Sequence, residues 1–308
     1  MEIRARAALL SVGSNTLLVL AKAAVGIAIG SVSIVSEAIH SGLDLVAALM
    51  ALLAVRMAAM PPDEQHRYGH GKIENVSGTV EAILILVAAV WIMVEAWQKL
   101  TSATAVESIN WGLLVMACSG FVNWLVSNYL YRVAIATHSI ALEADALHLR
   151  TDVYTSFGVL AGLLLIKITG WQLFDPLVAI AVALMIIKAS WGLTRVAFMP
   201  LLDTALPSHE EELITTILKQ YQNQGRLSGF HKLRTRLAGA ERHIDVHVVL
   251  PGMKDLASAH DLSDEIERDI RVKVPNSSVL IHLEPCCNAA VRDCGACTMT
   301  AEKGNEPA

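Results

Sequence analysis

The sequence predicts an α-helical membrane protein with six transmembrane helices, followed by a small C-terminal α+β domain. Three observations carry that prediction. Apolar stretches of about 20 residues, enough for a helix to cross a hydrocarbon core, can be drawn at 7–30, 33–55, 76–98, 110–132, 139–167 and 175–197. The composition agrees: 54% hydrophobic, 17% charged and a mean hydropathy of +0.49, against about 25% charged in soluble domains. After Pro200 the long apolar runs stop and shorter amphipathic segments begin.

Met1-Glu2-Ile3-Arg4-Ala5-Arg6 runs into the first stretch without a small-residue cleavage site, so that helix reads as retained, not as a signal peptide. An even number of spans puts both termini on one side. Arg4, Arg6, Arg56, Arg67, Lys72, Arg132 and Arg195 flank one set of helix ends, against Lys99 and Lys167 on the other. The richer side is expected to be cytoplasmic, and the cell's inner (plasma) membrane is the expected location. The fifth stretch is the least apolar, with Glu143, Asp145, His148, Arg150 and Asp152 in its N-terminal half. It has to face the bundle interior or water. Lys22 and Lys188 also fall within spans and read as snorkelling or paired, and Cys118 as ordinary packing.

Residues 1–200 thus form the membrane domain, 201–286 a second domain, and 287–308, which lack periodicity, a flexible tail. In the second domain 208–224 reads as an amphipathic helix opened by Ser208, with Glu210, Glu211 and Glu212 in its first turn. Strands follow at 229–237 and 242–250, joined by a turn at Ala238-Gly239-Ala240. A helix at 256–273 and a strand at 278–284 complete an αββαβ order, with the helices on one face of the sheet. The net charge is −5, with the acidic excess mainly after residue 203. No basic nucleic-acid surface and no Gly-rich phosphate loop is recognisable, so no nucleic-acid partner is expected.

One motif occurs twice. Glu37-Ala38-Ile39-His40-Ser41-Gly42-Leu43-Asp44 returns as Asp145-Ala146-Leu147-His148-Leu149-Arg150-Thr151-Asp152. In each copy His and Asp are four residues apart and share a helix face. Two such faces turned together would offer two imidazoles and two carboxylates, an N/O set suited to tetrahedral zinc. Such residues can also merely hydrogen-bond neighbouring helices. The duplication favours ligands, because ionisable groups at that depth cost about 2.5–3.5 kcal/mol per Asp even on the low scale, and a dication removes most of that cost.

After the second span, Asp63, His66 and His70 form Asp-x-x-His-x-x-x-His. Three ligands with water as the fourth would make an exchangeable site; an ordinary polar turn would look the same. In the second domain, strand alternation puts His243, Asp245 and His247 opposite Ile244, Val246 and Val248, and sets His282 beside Glu284 on one face. His231 and His260 complete the group, which reads as a metal site or as a solvated polar face. Cys286, Cys287, Cys294 and Cys297 could form a soft-metal clasp or a reduced, exposed tail.

With these motifs in hand, the chain resembles the cation diffusion facilitator family over residues 7–286. The Gly-His-Gly-Lys-x-Glu run at 69–74, Leu-Leu-Asp-x-Ala-Leu-Pro at 201–207 and Leu-Arg-Thr-Arg at 233–236 add to the six spans and the paired motifs. It looks most like the bacterial zinc and ferrous-iron efflux branch. The resemblance implies a homodimer in the lipid bilayer whose membrane halves exchange divalent metal ions for protons. It also implies a cytoplasmic domain of ferredoxin-like, metallochaperone-like form that binds metal between copies. It makes His40, Asp44, His148 and Asp152 the transport site and Asp63, His66 and His70 a loop site. His231, His247, His260 and His282 match a binuclear cytoplasmic site, with Glu284 where that branch usually has Asp. Lys72 and Asp203 match a salt bridge that locks the dimer near the membrane surface. That branch usually has Asp where His40 stands, whereas paired His-Asp motifs look like the zinc-selective branch.

Imidazole in place of a carboxylate disfavours hard ions and suits Zn²⁺, so zinc is the first expectation, with Fe²⁺, Co²⁺ and Cd²⁺ open. With both Asp ionised and both His neutral, the empty cage carries two negative charges that Zn²⁺ neutralises. Once the metal leaves, protons are drawn in and must depart before the next ion binds, which gives zinc/proton antiport. Two rivals differ in class. A membrane metallohydrolase lacks support, since no His-Glu-x-x-His occurs. A non-transporting metal sensor would need no ligands at mid-membrane.

Overall fold

The computed structural model describes residues 2–29, 32–101, 110–169, 171, 173–251 and 255–286. They form two compact units, Met1–Leu201 and Leu202–Ala308.

The first unit is all helix: α1 (Glu2–Ile29), α2 (Val32–Ala58), α3 (Lys72–Thr101), α4 (Asn110–Thr137), α5 (Ile140–Thr169) and α6 (Phe174–Phe198). Ile3–Ala28, Ala38–Ala58, Lys72–Gln98 and Pro176–Leu202 are long and apolar enough to cross a membrane. The helices α4 and α5 are as long, at 28 and 30 residues. The helix pairs α1 with α2, α4 with α5, and α3 with α6 pack most extensively, and α2 also meets α5. Small residues line the seams. Ala7, Ala8, Ala47, Ala48, Ala51, Ala141 and Ala146 are buried, which lets backbones approach where lipid offers no hydrophobic drive. Gly78 marks the tightest approach, since a Cβ there would stand 2.7 Å from Cγ2 of Ile140. Leu17, Leu20, Trp91, Trp97 and Trp191 point outward, as expected of a lipid-facing surface. The starts of α1, α3 and α5 are tied through buried Glu74, which accepts from Arg4 Nη1 at 2.9 Å and from Ser139 Oγ at 2.5 Å.

The second unit contains α7 (Ser208–Asn223), β1 (Gly229–Ala238), β2 (Glu241–Leu250), α8 (Leu256–Lys273) and β3 (Ser277–Pro285). The sheet order is β1-β2-β3, with β1–β2 antiparallel and β2–β3 parallel. A parallel pair needs a crossover, and α8 supplies it. Ile244, Val246, Val248 and Leu250 of β2 pack against Ile214, Leu218 and Tyr221 of α7 and Leu262, Ile266 and Ile270 of α8. Both helices therefore cover one face, and the alternate residues of β2 face away from them. The opening of α7 differs from the sequence expectation. Pro207 holds the cap position without a side-chain bond, and Ser208 is already helical. Glu210 does more than meet the helix dipole: it takes two 2.7 Å bonds from buried Arg242.

Candidate metal centres

The first centre is built by α2 and α5. Each presents a His and an Asp one turn apart, and the pairs cross between helices. His148 Nε2 lies 3.1 Å from Asp44 Oδ1, and His40 Nε2 lies 3.8 Å from Asp152 Oδ1. Donor atoms of His40, Asp44 and Asp152 all lie within 4.8 Å of one another. Three of the four residues of the duplicated motif thus already cluster, and His148 joins them through its contact with Asp44. That set fits a tetrahedral dication of borderline softness. The side chain of Asp44 is almost fully buried and that of His40 is 58% exposed, so the group is open on one side.

Neighbours support it that no spacing rule singles out. Asn123 of α4 donates to Asp152 Oδ2 at 3.4 Å, and buried Lys22 of α1 donates to Ser41 Oγ at 2.9 Å. Glu81 of α3 and Asp145 of α5 are fully buried, with carboxylate oxygens that make no hydrogen bond among the described residues. Asp145 opens the second copy of the motif, but nothing local in the sequence marks Glu81.

The second centre is the loop between α2 and α3. Asp63 Oδ1 accepts from the backbone N–H groups of Gln65 at 2.9 Å and His66 at 2.6 Å. The His66 amide, foremost, holds its carboxyl below the usual range, so it stays ionised. Gly69, with φ +80°, turns the chain. His70 Nε2 then comes 3.2 Å from Asp63 Oδ2, His66 Nδ1 stands 3.3 Å from Oδ1, and the two rings are 4.5 Å apart. These are three donors with an open side, as in an exchangeable site.

The third centre lies on the sheet face away from the helices. His231, His247 and His282 stand opposite one another across the three strands. Ring centroids are 5.3 Å apart for His231 and His247, and 4.5 Å for His247 and His282. Glu284 joins them: Oε1 is 2.7 Å from His247 Nδ1, and Oε2 is 3.4 Å from His231 Nε2. The His247 contact keeps the Glu284 carboxyl below its usual range. His231, His247 and Glu284 could hold one ion, with His282 alongside. His260 is elsewhere. It sits exposed on α8, whose buried face packs on the other side of the sheet, with Asp264 at 3.6 Å.

Lys72 opens α3 in the first unit, while Asp203 belongs to the second, where Arg236 Nη1 stands 3.3 Å from it. Of the cysteine tail, Cys286 ends the described residues with its N–H bonded to Leu250 O at 3.1 Å. Cys287, Cys294 and Cys297 lie outside them.

Comparison with known proteins places the whole chain beside one group of membrane proteins. The model of the cation efflux transmembrane domain matches residues 8–202, and that of the cation efflux protein cytoplasmic domain matches residues 206–286. A transporter of Synechocystis sp., sll1263, is 37% identical over 256 residues, which cover 83% of this chain and 82% of its own. The cation-efflux pump FieF of Serratia proteamaculans is 31% identical over 91% of this chain and 92% of its own. FieF of Escherichia fergusonii is 32% identical with the same coverage.

Proposed function

Since the chain belongs to the cation diffusion facilitator, or cation efflux, family, we propose that it exports Zn²⁺ from the cytoplasm in exchange for protons. The observation that carries this reading is the crossed His–Asp pairing of α2 and α5, His148 with Asp44 and His40 with Asp152. Two neutral imidazoles and two ionised carboxylates match the charge of one dication and favour zinc over hard ions. Fe²⁺, Co²⁺ and Cd²⁺ compete for the same donors. The cage empties only if something replaces the metal's charge, because unpaired carboxylates in a low-dielectric bundle are costly. Protons arriving from the outer side fill that role, and their departure resets the site for the next ion.

The protein works as a homodimer of the inner membrane, with both termini cytoplasmic. The loop of Asp63, His66 and His70 takes metal from the cytoplasm. The row His231, His247, His282 and Glu284 senses metal and sets the geometry of the dimer, with Lys72 and Asp203 as the latch near the membrane. His260 and His282 are both exposed, so a second copy can meet them there.

Zinc uptake by proteoliposomes of purified protein tests the assignment. His40→Ala and Asp152→Ala should each reduce uptake to the level of empty vesicles, while the helical circular dichroism stays that of wild type. Wild-type flux in either variant would refute the transport site.

A further inference from the structure

Two acids of the membrane unit belong to none of the three centres. Glu81 of α3 is 1% exposed and Asp145 of α5 is 0% exposed. Neither oxygen of either carboxylate has a hydrogen-bond partner, and among the described residues neither acid makes an ion pair. The two stand near enough for the charge of Asp145 to act on Glu81. From a third helix, α1, Ser11 approaches Asp145. It is itself fully buried, and its hydroxyl closes no hydrogen bond there.

Few charges face this pair. His148 acts on both acids and Asp44 acts on Asp145, yet neither acid is hydrogen-bonded to the metal cage. The cations of the neighbouring helices are engaged or turned away. Arg4 of α1 is held by Glu74, and Lys22 donates to Ser41. Arg132 of α4 is exposed, and Arg195 lies in the last turn of α6. Lys188 of α6 lines a groove with Glu143, Leu147 and Arg150. Leu147 is two residues past Asp145, so that groove lies about 200° around α5 from the acid. Asp145 is also three residues before His148, which puts it roughly one turn nearer the end where α1, α3 and α5 begin. That end is the cytoplasmic one in the proposed function.

We propose that Glu81 and Asp145 together hold one of the protons exchanged for the metal, at a site separate from the four donors of the cage. The proposal rests on the proton exchange of the proposed function and names residues for one of its steps. Two neighbouring carboxylates kept from water and from any cation cannot both stay ionised, and one proton on the pair removes their repulsion. A dication in the cage brings positive charge close to the pair without sharing a ligand with it, which favours loss of that proton. Departure of the metal leaves the cage negative and favours its return. In the cycle, a proton from the outer side forms an O–H bond on one carboxylate after the metal has left. Entry of the next ion breaks that bond, and the proton passes to water on the cytoplasmic side. A metal ion is the poorer occupant, since among the described residues no third donor joins the two acids closely enough to hold one.

Infrared difference spectroscopy of the full-length protein in lipid, zinc-bound minus zinc-free, reads this proton directly. Wild type should lose the C=O stretch of a protonated carboxyl group when zinc binds. Glu81→Gln, a nearly isosteric change, should shift or weaken that band, and Glu81→Gln/Asp145→Asn should abolish it. In proteoliposomes the double variant should move roughly one proton fewer per zinc than wild type. Equilibrium dialysis at saturating zinc should find as much metal bound to both variants as to wild type. A wild type without a zinc-linked carboxyl band, or a band unchanged in Glu81→Gln, would overturn the assignment. So would a double variant that keeps the wild-type ratio of protons to zinc. One zinc fewer per protomer in the variants would make the pair a metal site and overturn it as well. Zinc transport by wild type with no proton movement at all is a different result, and it would defeat the exchange itself.

Discussion

A histidine and an aspartate one helical turn apart do little until another helix supplies the complementary pair. In this protein each imidazole reaches across to the other helix's carboxylate, His148 to Asp44 and His40 to Asp152. The spacing was legible because residues four apart share a helix face. The crossing was not, since it depends on how far α2 is turned relative to α5. Nor were Asn123 and Glu81 legible, each a single polar residue on another helix. The proposed preference for zinc is testable at this scale. His40→Asp changes the donors from two imidazoles and two carboxylates to one and three, a harder set. The ratio of Mn²⁺ to Zn²⁺ taken up in competition by proteoliposomes should rise severalfold in this variant. An unchanged ratio would mean that selectivity is set outside the four donors.

Alternation along β2 was enough to put His243, Asp245 and His247 on one face and the apolar residues on the other. The row of three histidines needed more. Its last member comes from β3, which pairs parallel to β2 because α8 carries the chain back across the sheet. That crossover brings His282 level with His247 and leaves His260, on the crossover helix itself, outside the row. On β1 an extra residue lies between His231 and Arg234, where Lys232 has φ +50°. The bulge shifts the alternation, so Arg234 faces Asp245, which a strict two-residue period would not give. The start of α8 is fixed by Asp255, which accepts from Ser258 N at 2.9 Å and Ser258 Oγ at 2.6 Å. The Ser258 side chain first, then its amide, hold the Asp255 carboxyl below its ordinary value of 3.8. A lowered folded value means that the cap's contribution is complete above the ordinary value and is lost as pH falls through the lowered one. Amide hydrogen exchange in the first turn of α8 should therefore be faster in Asp255→Ala than in wild type at neutral pH. The gap should close below about pH 3.8. A gap that persists into strong acid would show that the cap does not depend on the carboxylate charge.

For the molecule as a whole, composition alone separated membrane from soluble parts, because long apolar runs and the αββαβ pattern cannot be confused. The order of the helices around the bundle was less visible. Lipid-facing and buried residues are alike apolar, so periodicity does not say which faces meet. The small residues at the seams, Gly78 against Ile140 among them, become meaningful only in the folded bundle. In the proposed function, whole-molecule charge balance is what would link the metal to protons. With Asp44 buried and Asp152 partly so, the proposed cycle would not return with both carboxylates bare after releasing a dication. Zinc and proton movements should be coupled in opposite directions. With zinc outside proteoliposomes and an acidic lumen, zinc entry should speed up and the lumenal pH should rise in step with it. A protonophore that collapses the gradient should slow the entry again, and Asp152→Ala should abolish both signals. Zinc flux indifferent to the gradient, with no lumenal pH change, would mean that the cage resets without protons and that the protein is a uniporter.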